Sequence, residues 1–192
     1  MACKVPYIKQ FNRSACVAAC FEMAFASYGV RINQRAIYKK AEPAAKGIPY
    51  GNLMLAIKDK NYVLERWTNH KSPEDKGTKK AKQLGLIKLH KNANIKLLKS
   101  FLKKGIFAII GVDADTWYKD YKNWKAPTGD THAIVVLEYN TRTNKFIVND
   151  PFLPYLKRNG KCLEVSSNHL KAAWDKCDNS MSVLRPKGSS IT

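Results

Sequence analysis

No stretch of this chain is apolar for the roughly 20 residues that a membrane-spanning helix needs. The opening residues, Met1-Ala2-Cys3-Lys4-Val5-Pro6-Tyr7, contain no hydrophobic signal-peptide core. Together these absences predict a cytoplasmic or virion-associated protein. Cysteine is scarce and scattered: Cys3, Cys16, Cys20, Cys162 and Cys177 form an odd set with no CxxC pair. That pattern suits neither a disulfide framework nor a zinc site. Reduced thiols are the simpler expectation, with a Cys162–Cys177 pairing left open. His70, His90 and His169 have no partners at metal-ligand spacing, so neither a metal nor a cofactor is expected. His70 and His90 sit among lysines and read as exposed, and His169 as a surface or packing residue.

Acidic residues are also few. There are 15 Asp and Glu against 34 Lys and Arg, a net charge of +19. Between Lys71 and Lys104 eleven lysines face only two acids, Glu74 and Asp75. Such a field attracts polyanions: nucleic acid, acidic wall polymers or anionic lipid. The plainer reading is a solvated lysine-rich face that keeps the protein soluble. Lysine lacks the bidentate fork of arginine, and no RNA- or DNA-reading motif accompanies the charge.

What is present suits a folded domain. The chain has 192 residues, 45% of them hydrophobic, with no internal repeat and no low-complexity linker. A single domain over residues 1–192 is the expectation. Val5 to Ile8 reads as a short strand or extended lead-in. Asn12 or Ser14 can cap a helix over about residues 15–28 that stops at Gly29. Val17, Ala18, Ala19, Phe21, Met23, Ala24 and Phe25 cover most of its circumference, which marks a central, buried helix. Helices are expected over about 34–41, 52–59 and 95–104, the last capped by Asn94 and ended by Gly105. Residues 62–67 suggest a strand, and 68–83 an exposed lysine-rich loop with some helix.

The second half reads as β. Strands are expected over 106–112, 132–139, 145–150, 161–165 and 181–184. A long loop, 113–131, carries Trp117, Tyr118, Tyr121 and Trp124, and a late helix over about 168–174 is capped by Ser166 or Ser167. A helical first half followed by an antiparallel sheet is an α+β layout.

Cys16 falls in the first turn of the buried helix under either cap. Helix N-termini offer unpaired N–H groups and a partial positive charge, which lower a thiol pKa and can hold an oxyanion. Gln10, six residues upstream, can turn its amide N–H toward the same oxygen. His132 opens one strand and Asp150 closes the next, so the hairpin turn at 140–144 should bring them within a position or two. The register decides which neighbour shares the imidazole's face. Paired positions with an even sum select Asp150, and an odd sum selects Asn149. A thiol, an imidazole, an acid and an upstream Gln are the parts of a papain-like thiol hydrolase. The plain alternatives are a buried Cys acting as a small hydrophobe, a strand-end His bonded to backbone, and Asp-Pro turn chemistry. Cys20 suits the first of these.

The chain resembles the C39 peptidase family and its C39-like relatives in the papain-like superfamily. The resemblance rests on Val5-Pro6-Tyr7-Ile8-Lys9-Gln10 through Cys16 to Tyr28-Gly29 and on the Gly-led strand Lys104-Gly105-Ile106-Phe107-Ala108-Ile109-Ile110. It continues through His132-Ala133-Ile134-Val135-Val136, then Val148-Asn149-Asp150-Pro151, and the late helix ending in Trp174. It implies a papain-like fold with the buried catalytic helix packed on the sheet. It implies Cys16 as nucleophile, His132 as general base and acid, Asp150 as its orienter and Gln10 as oxyanion-hole donor. Departures are Val17 where the family usually has Gly, the long aromatic loop at 113–131 and the lysine-rich middle. Leader-processing members are typically fused to a transporter, and none is present here. Phytochelatin-synthase-like enzymes share the Gln–Cys and His–Asp arrangement and match less well.

The expected function is a cysteine peptidase acting on a peptide or isopeptide bond, with Trp117, Tyr118 and Trp124 forming a substrate wall or lid, or else a packed loop. Its partner would be a peptide or protein substrate, a cell-wall peptide among them, with an acidic partner or polyanion suggested by charge. A virus- or phage-encoded maturation or wall-cleaving protease would suit a compact basic enzyme. Two rivals are a catalytically silent C39-like binding domain for a peptide or polyanion, favoured by Val17, and a nucleic-acid-binding protein that kept a papain-like scaffold.

Overall fold

A computed structural model describes residues 4–43, 48–69, 74–120, 131–152 and 159–189. The first helix, α1 (Cys16–Ser27), buries Ala18, Ala19, Cys20, Phe21, Met23, Ala24 and Phe25, as its near-continuous apolar surface predicts. It ends at Gly29, whose φ of +72° suits a residue without a Cβ, and the Val30 N–H closes the turn on Phe25 O. Its start differs from expectation. Ala15 occupies the cap position and no side chain caps the helix. The Asn12 side chain instead accepts from the Ser14 N–H, within the turn before the helix.

Two short helices follow, α2 (Gln34–Lys40), capped by Asn33, and α3 (Tyr50–Ala56), with a 3₁₀ turn at Lys58–Lys60. Then come β1 (Tyr62–Trp67), α4 (Lys76–Gln83), β2 (Ile87–His90) and α5 (Ile95–Lys103). Asn94 caps α5 and Gly105 ends it at φ +75°, both as read from sequence. The second half supplies β3 (Ala108–Asp113), α6 (Ala114–Trp117), β4 (Thr131–Asn140), β5 (Lys145–Asn149), β6 (Leu163–Ser166), α7 (Ser167–Asp175) and β7 (Met181–Pro186). Of the two serines that could cap α7, Ser166 does so.

The α+β expectation holds, with one refinement. The seven-stranded sheet, ordered β2-β1-β7-β3-β4-β5-β6, takes two strands from the first half of the chain. β1 and β2 pair in parallel and the other pairs are antiparallel. β2 was not visible as a strand, because its lysine and histidine sit on a short edge strand where alternation is too brief to read. Two apolar cores flank the sheet. One packs α1 to α4 on one face, through residues such as Phe21, Ile37, Leu53 and Ala81. The other packs α5, α6 and α7 on the opposite face, through Leu98, Trp117 and Trp174.

The β4–β5 hairpin settles the register. Next to its turn, Asn140 pairs with Lys145 and Glu138 with Ile147, an odd sum. A bulge between Val136 and Glu138 leaves Leu137 unpaired, and beyond it Val136 faces Val148 and Val135 faces Asn149, an even sum. The one-residue shift therefore puts Asp150, not Asn149, on the face of His132. Asn149 turns the other way, its amide donating to Val5 O and its oxygen accepting from the Cys162 N–H.

The α3–α4 contact is a glycine seam. A Cβ on Gly51 would lie 2.1 Å from the Thr78 backbone nitrogen. Gly51→Ala should destabilise the protein by about 1–3 kcal/mol, since backbone must move to admit the methyl group. Thermal unfolding against wild type measures this, and an unchanged melting temperature would contradict the seam.

Candidate active site

Continuing the β4–β5 register past Val135 and Asn149 places Ala133 opposite Pro151. Proline has no N–H to donate, and the Pro151 carbonyl accepts from the Gln10 N–H instead. The ladder stops there, and the Ala133 peptide is taken up by two sulfurs of α1. The Ala133 backbone N–H bonds Cys16, and the Cys20 thiol donates to Ala133 O at 3.4 Å. This contact seats the first turn of α1 against the first residues of β4, where His132 stands.

The His132 ring hydrogen-bonds Cys16 on one side. On the other, its Nε2 lies 2.9 Å from Asp150 Oδ1. Asp150 is fully buried and His132 nearly so. The carboxylate takes three further donors. Trp117 Nε1 donates to Oδ2 at 2.8 Å, Tyr118 Oη reaches Oδ2 at 2.9 Å and Oδ1 at 3.0 Å, and the Phe152 N–H donates to Oδ1 at 2.9 Å. Its backbone is fixed as well. The Asp150 N–H donates to Gly160 O at 2.8 Å, and Tyr7 Oη donates to Asp150 O. A Cβ on Gly160 would come within 2.0 Å of that oxygen, so only glycine fits. The rings of Tyr118 and Phe152 lie 5.6 and 6.1 Å from the imidazole.

These contacts govern protonation. Burial pushes the Asp150 carboxyl up, but the imidazolium and the hydrogen bonds from His132, Trp117 and Phe152 outweigh it and hold the group below its ordinary value. Burial pushes the His132 ring down, and the Asp150 charge, its hydrogen bond and Cys16 overcome this, raising the ring to about 10. For Cys16, burial raises the pKa, while the hydrogen bond and charge of His132 and the N–H groups of Ala133 and Val17 lower it further, for a net fall. Cys20 goes the opposite way. Burial and the negative charges of Cys16 and Asp150 push it well above its ordinary value, so it behaves as the small hydrophobe read from sequence.

Cys16, His132 and Asp150 are thus brought together. Gln10 lies beside them, fully buried, with its amide Nε2 donating to Asn12 O at 2.7 Å and Arg13 O at 3.1 Å. These bonds brace the turn before α1. Trp117 and Tyr118, expected at a substrate wall, are 4% and 1% exposed and point into the protein at Asp150. The short helix α6 places them, capped by Asp113, with His169 bonding Trp117 O at 3.0 Å. Trp124 lies outside the described residues. Sequence reading missed this carboxylate pocket. The signal was that a buried acid needs several donors, and the loop before His132 is where indole and phenol donors cluster. Cys162 is disulfide-bonded and Cys177 is a free thiol, so these two do not pair and not every thiol is reduced. Among the described residues, no His, Cys, Asp and Glu group is arranged to hold a metal, and no helix is long and apolar enough to cross a membrane.

A buried helix with a thiol at its N-terminus, docked on a sheet that presents His and Asp at one end, is the architecture of the papain-like cysteine peptidases. The chain belongs to the Peptidase_C39 like family, whose model matches residues 3–181. Its fold resembles that of a protein from Bacillus anthracis described as a C39-like peptidase, with TM-score 0.64, 14% identity and 96% of each chain covered. It also resembles the peptidase domain of Streptococcus ComA, a bifunctional ABC transporter involved in quorum sensing, with TM-score 0.61, 13% identity, and 94% of this chain and 98% of that one covered. A double glycine motif protease from an AMS/PCAT transporter, solved with its leader peptide, gives TM-score 0.58 at 13% identity, covering 96% of this chain and 94% of that one. At these identities the likeness is one of fold. No curated protein sequence matches the chain.

Tyr118→Phe removes one donor from Asp150 and little volume. It should cost about 1–3 kcal/mol, the usual penalty for a buried group losing its partner. The depressed pKa of Asp150 contributes stability above the unfolded carboxyl value, and this is lost as pH falls through the folded one. The variant raises the folded value, so its acid-unfolding midpoint should move to higher pH. Acid titration followed by circular dichroism reads this, and an unmoved midpoint would refute the donor role.

Proposed function

We propose that this protein is a cysteine peptidase using Cys16, His132 and Asp150. The observation that supports the reading is the continuous hydrogen-bonded path from the Cys16 thiol through the imidazole to a buried, donor-saturated carboxylate. In this reading the Cys16 proton rests on His132, giving a thiolate–imidazolium pair held by Asp150. The thiolate attacks the carbonyl carbon of a peptide or isopeptide bond. The C–S bond forms as the carbonyl π pair moves onto oxygen.

The resulting oxyanion lies at the uncapped start of α1, where the Cys16 N–H and the helix dipole favour negative charge. Gln10 exchanges one of its two carbonyl acceptors for that oxyanion and becomes the second donor. Collapse expels the amine, which takes the proton from His132. Water, deprotonated by the now neutral imidazole, then cleaves the thioester and releases the carboxylic acid and the free thiol.

A second reading draws on the Gln10 amide, which bonds two carbonyls, and on Val17 after the thiol. In it the protein is a silent C39-like domain that binds a peptide or polyanion through its basic surface, net +19.

Chemical labelling separates the two. Iodoacetamide at pH 7 should modify Cys16 at least roughly tenfold faster than Cys20 or Cys177, because thiolate character sets the rate. Cys177 is held at about 12, and Cys20 stays protonated. Cys16→Ala should abolish hydrolysis of a peptide library without unfolding the protein. As pH rises through about 10, the imidazolium loses its proton and can no longer protonate the leaving amine, so turnover should fall there. Equal labelling of the three thiols, or full activity in the alanine variant, would end the peptidase reading.

A further inference from the structure

Adjacent positions at the end of β1 treat their charges in opposite ways. Glu65 points to the α5–α7 side of the sheet, where Arg185 Nε donates to it at 3.0 Å and Arg185 Nη2 closes the fork. His90 Nε2 at 2.5 Å and Lys88 at 3.7 Å crowd the same carboxylate. Arg66 points to the α1–α4 side. Arg66 is half-buried as a residue, and its guanidinium carbon lies 4.3 Å from the centre of the Tyr50 ring. Among the described residues, no carboxylate lies within ion-pair range of Arg66 and no carbonyl accepts from it. A half-buried arginine with five N–H donors and, among the described residues, a ring as its neighbour stands out, since arginine leaves bulk water chiefly when paired.

Its place in the fold gives that vacancy a use. Arg66 pairs with Ser182 across β1 and β7, and the Tyr50 hydroxyl lies near the Ser182 side chain. The Tyr50 ring lies 6.0 Å from Phe21 of α1, and its hydroxyl is within electrostatic reach of Cys16, Cys20 and Arg66. The strand ends agree. Trp67 faces Met181, Met181 faces Ile110, and Asp113 at the end of β3 faces Thr131 at the start of β4. The guanidinium therefore stands at the same end of the sheet as His132, on the face that carries the Cys16 helix.

We propose that Arg66, backed by Tyr50, is a carboxylate-binding subsite beside Cys16 that selects peptides with an Asp or Glu side chain close to the scissile bond. The proposal rests on the peptidase reading for its biological meaning. The fork of the guanidinium matches a carboxylate in a bidentate pair, and Tyr50 fixes its plane in advance. Lysine at this position would keep the charge and lose both the fork and the stacking.

The test uses internally quenched peptides in pairs that differ only by Asp or Asn at each of four positions on either side of the bond. The readout is the Asp:Asn ratio of kcat/KM within each protein, so any general loss of activity cancels. Wild type should prefer Asp by about tenfold at one position, as expected for a charge-assisted pair. Arg66→Gln should bring the ratio to one, and Arg66→Lys should leave an intermediate value, chiefly through KM. If Arg66→Gln fails to fold, the lysine variant carries the comparison. Cleavage with no acidic preference, or a preference that survives in both variants, overturns the subsite and leaves the peptidase reading standing. If wild type cleaves none of the peptides, the peptidase reading is what fails. The same pairs are then compared by fluorescence anisotropy: Asp-selective binding lost in Arg66→Gln supports the carboxylate site, and equal binding refutes it.

Discussion

A carboxylate sealed from water organises this molecule. Asp150 is fully buried, and a bare charge in such a place would cost far more than a domain can spare. It is tolerated because four groups from three parts of the chain donate to it: the His132 ring, the Trp117 indole, the Tyr118 phenol and the Phe152 N–H. Each donor in turn requires its own support. The indole and phenol need α6 and its Asp113 cap, with His169 of α7 behind them. The imidazole needs β4 in its shifted register. The approach of Gly160 and Tyr7 needs the absence of a side chain at one of them. Sheet, small helix and extended N-terminal lead-in therefore meet at one acid.

The same economy of backbone groups seats Cys16. Pro151 ends the hairpin ladder one residue beyond the carboxylate, and the released Ala133 peptide becomes the docking point for α1 through Cys16 and Cys20. The helix start is left without a side-chain cap. In stability this is a loss, since a capping side chain is commonly worth about 1 kcal/mol. In the proposed mechanism it is a gain, because an occupied cap would put a competing oxygen where the oxyanion forms.

Much of this was readable from residue types alone. The burial of α1 followed from apolar residues all round it, and the ends of α1 and α5 followed from Gly29 and Gly105. The pairing of His132 with residue 149 or 150 followed from hairpin geometry. What escaped reading depended on contacts between distant segments. The roles of Trp117 and Tyr118 are set by a carboxylate more than 30 positions away, and a loop rich in aromatics reads the same whether it faces solvent or core. The bonds of the Gln10 amide to the carbonyls of Asn12 and Arg13 depend on how the chain turns before α1, which residue type and spacing do not show. β2 is too short for its alternation to be read, and it exists because β1 offers an edge in parallel register.

The extra residue at Leu137 bears on which side chain stands beside the imidazole. Papain-like peptidases orient their imidazole with either an acid or an amide. Here Asn149 and Asp150 stand side by side, and a single skipped position in the ladder chooses between them. A chain carrying this dipeptide holds an acid and an amide within one register step of the same imidazole. Inserting or deleting one residue in the hairpin would exchange them without altering either side chain, which makes strand slippage, rather than codon change, a route between the two pairings.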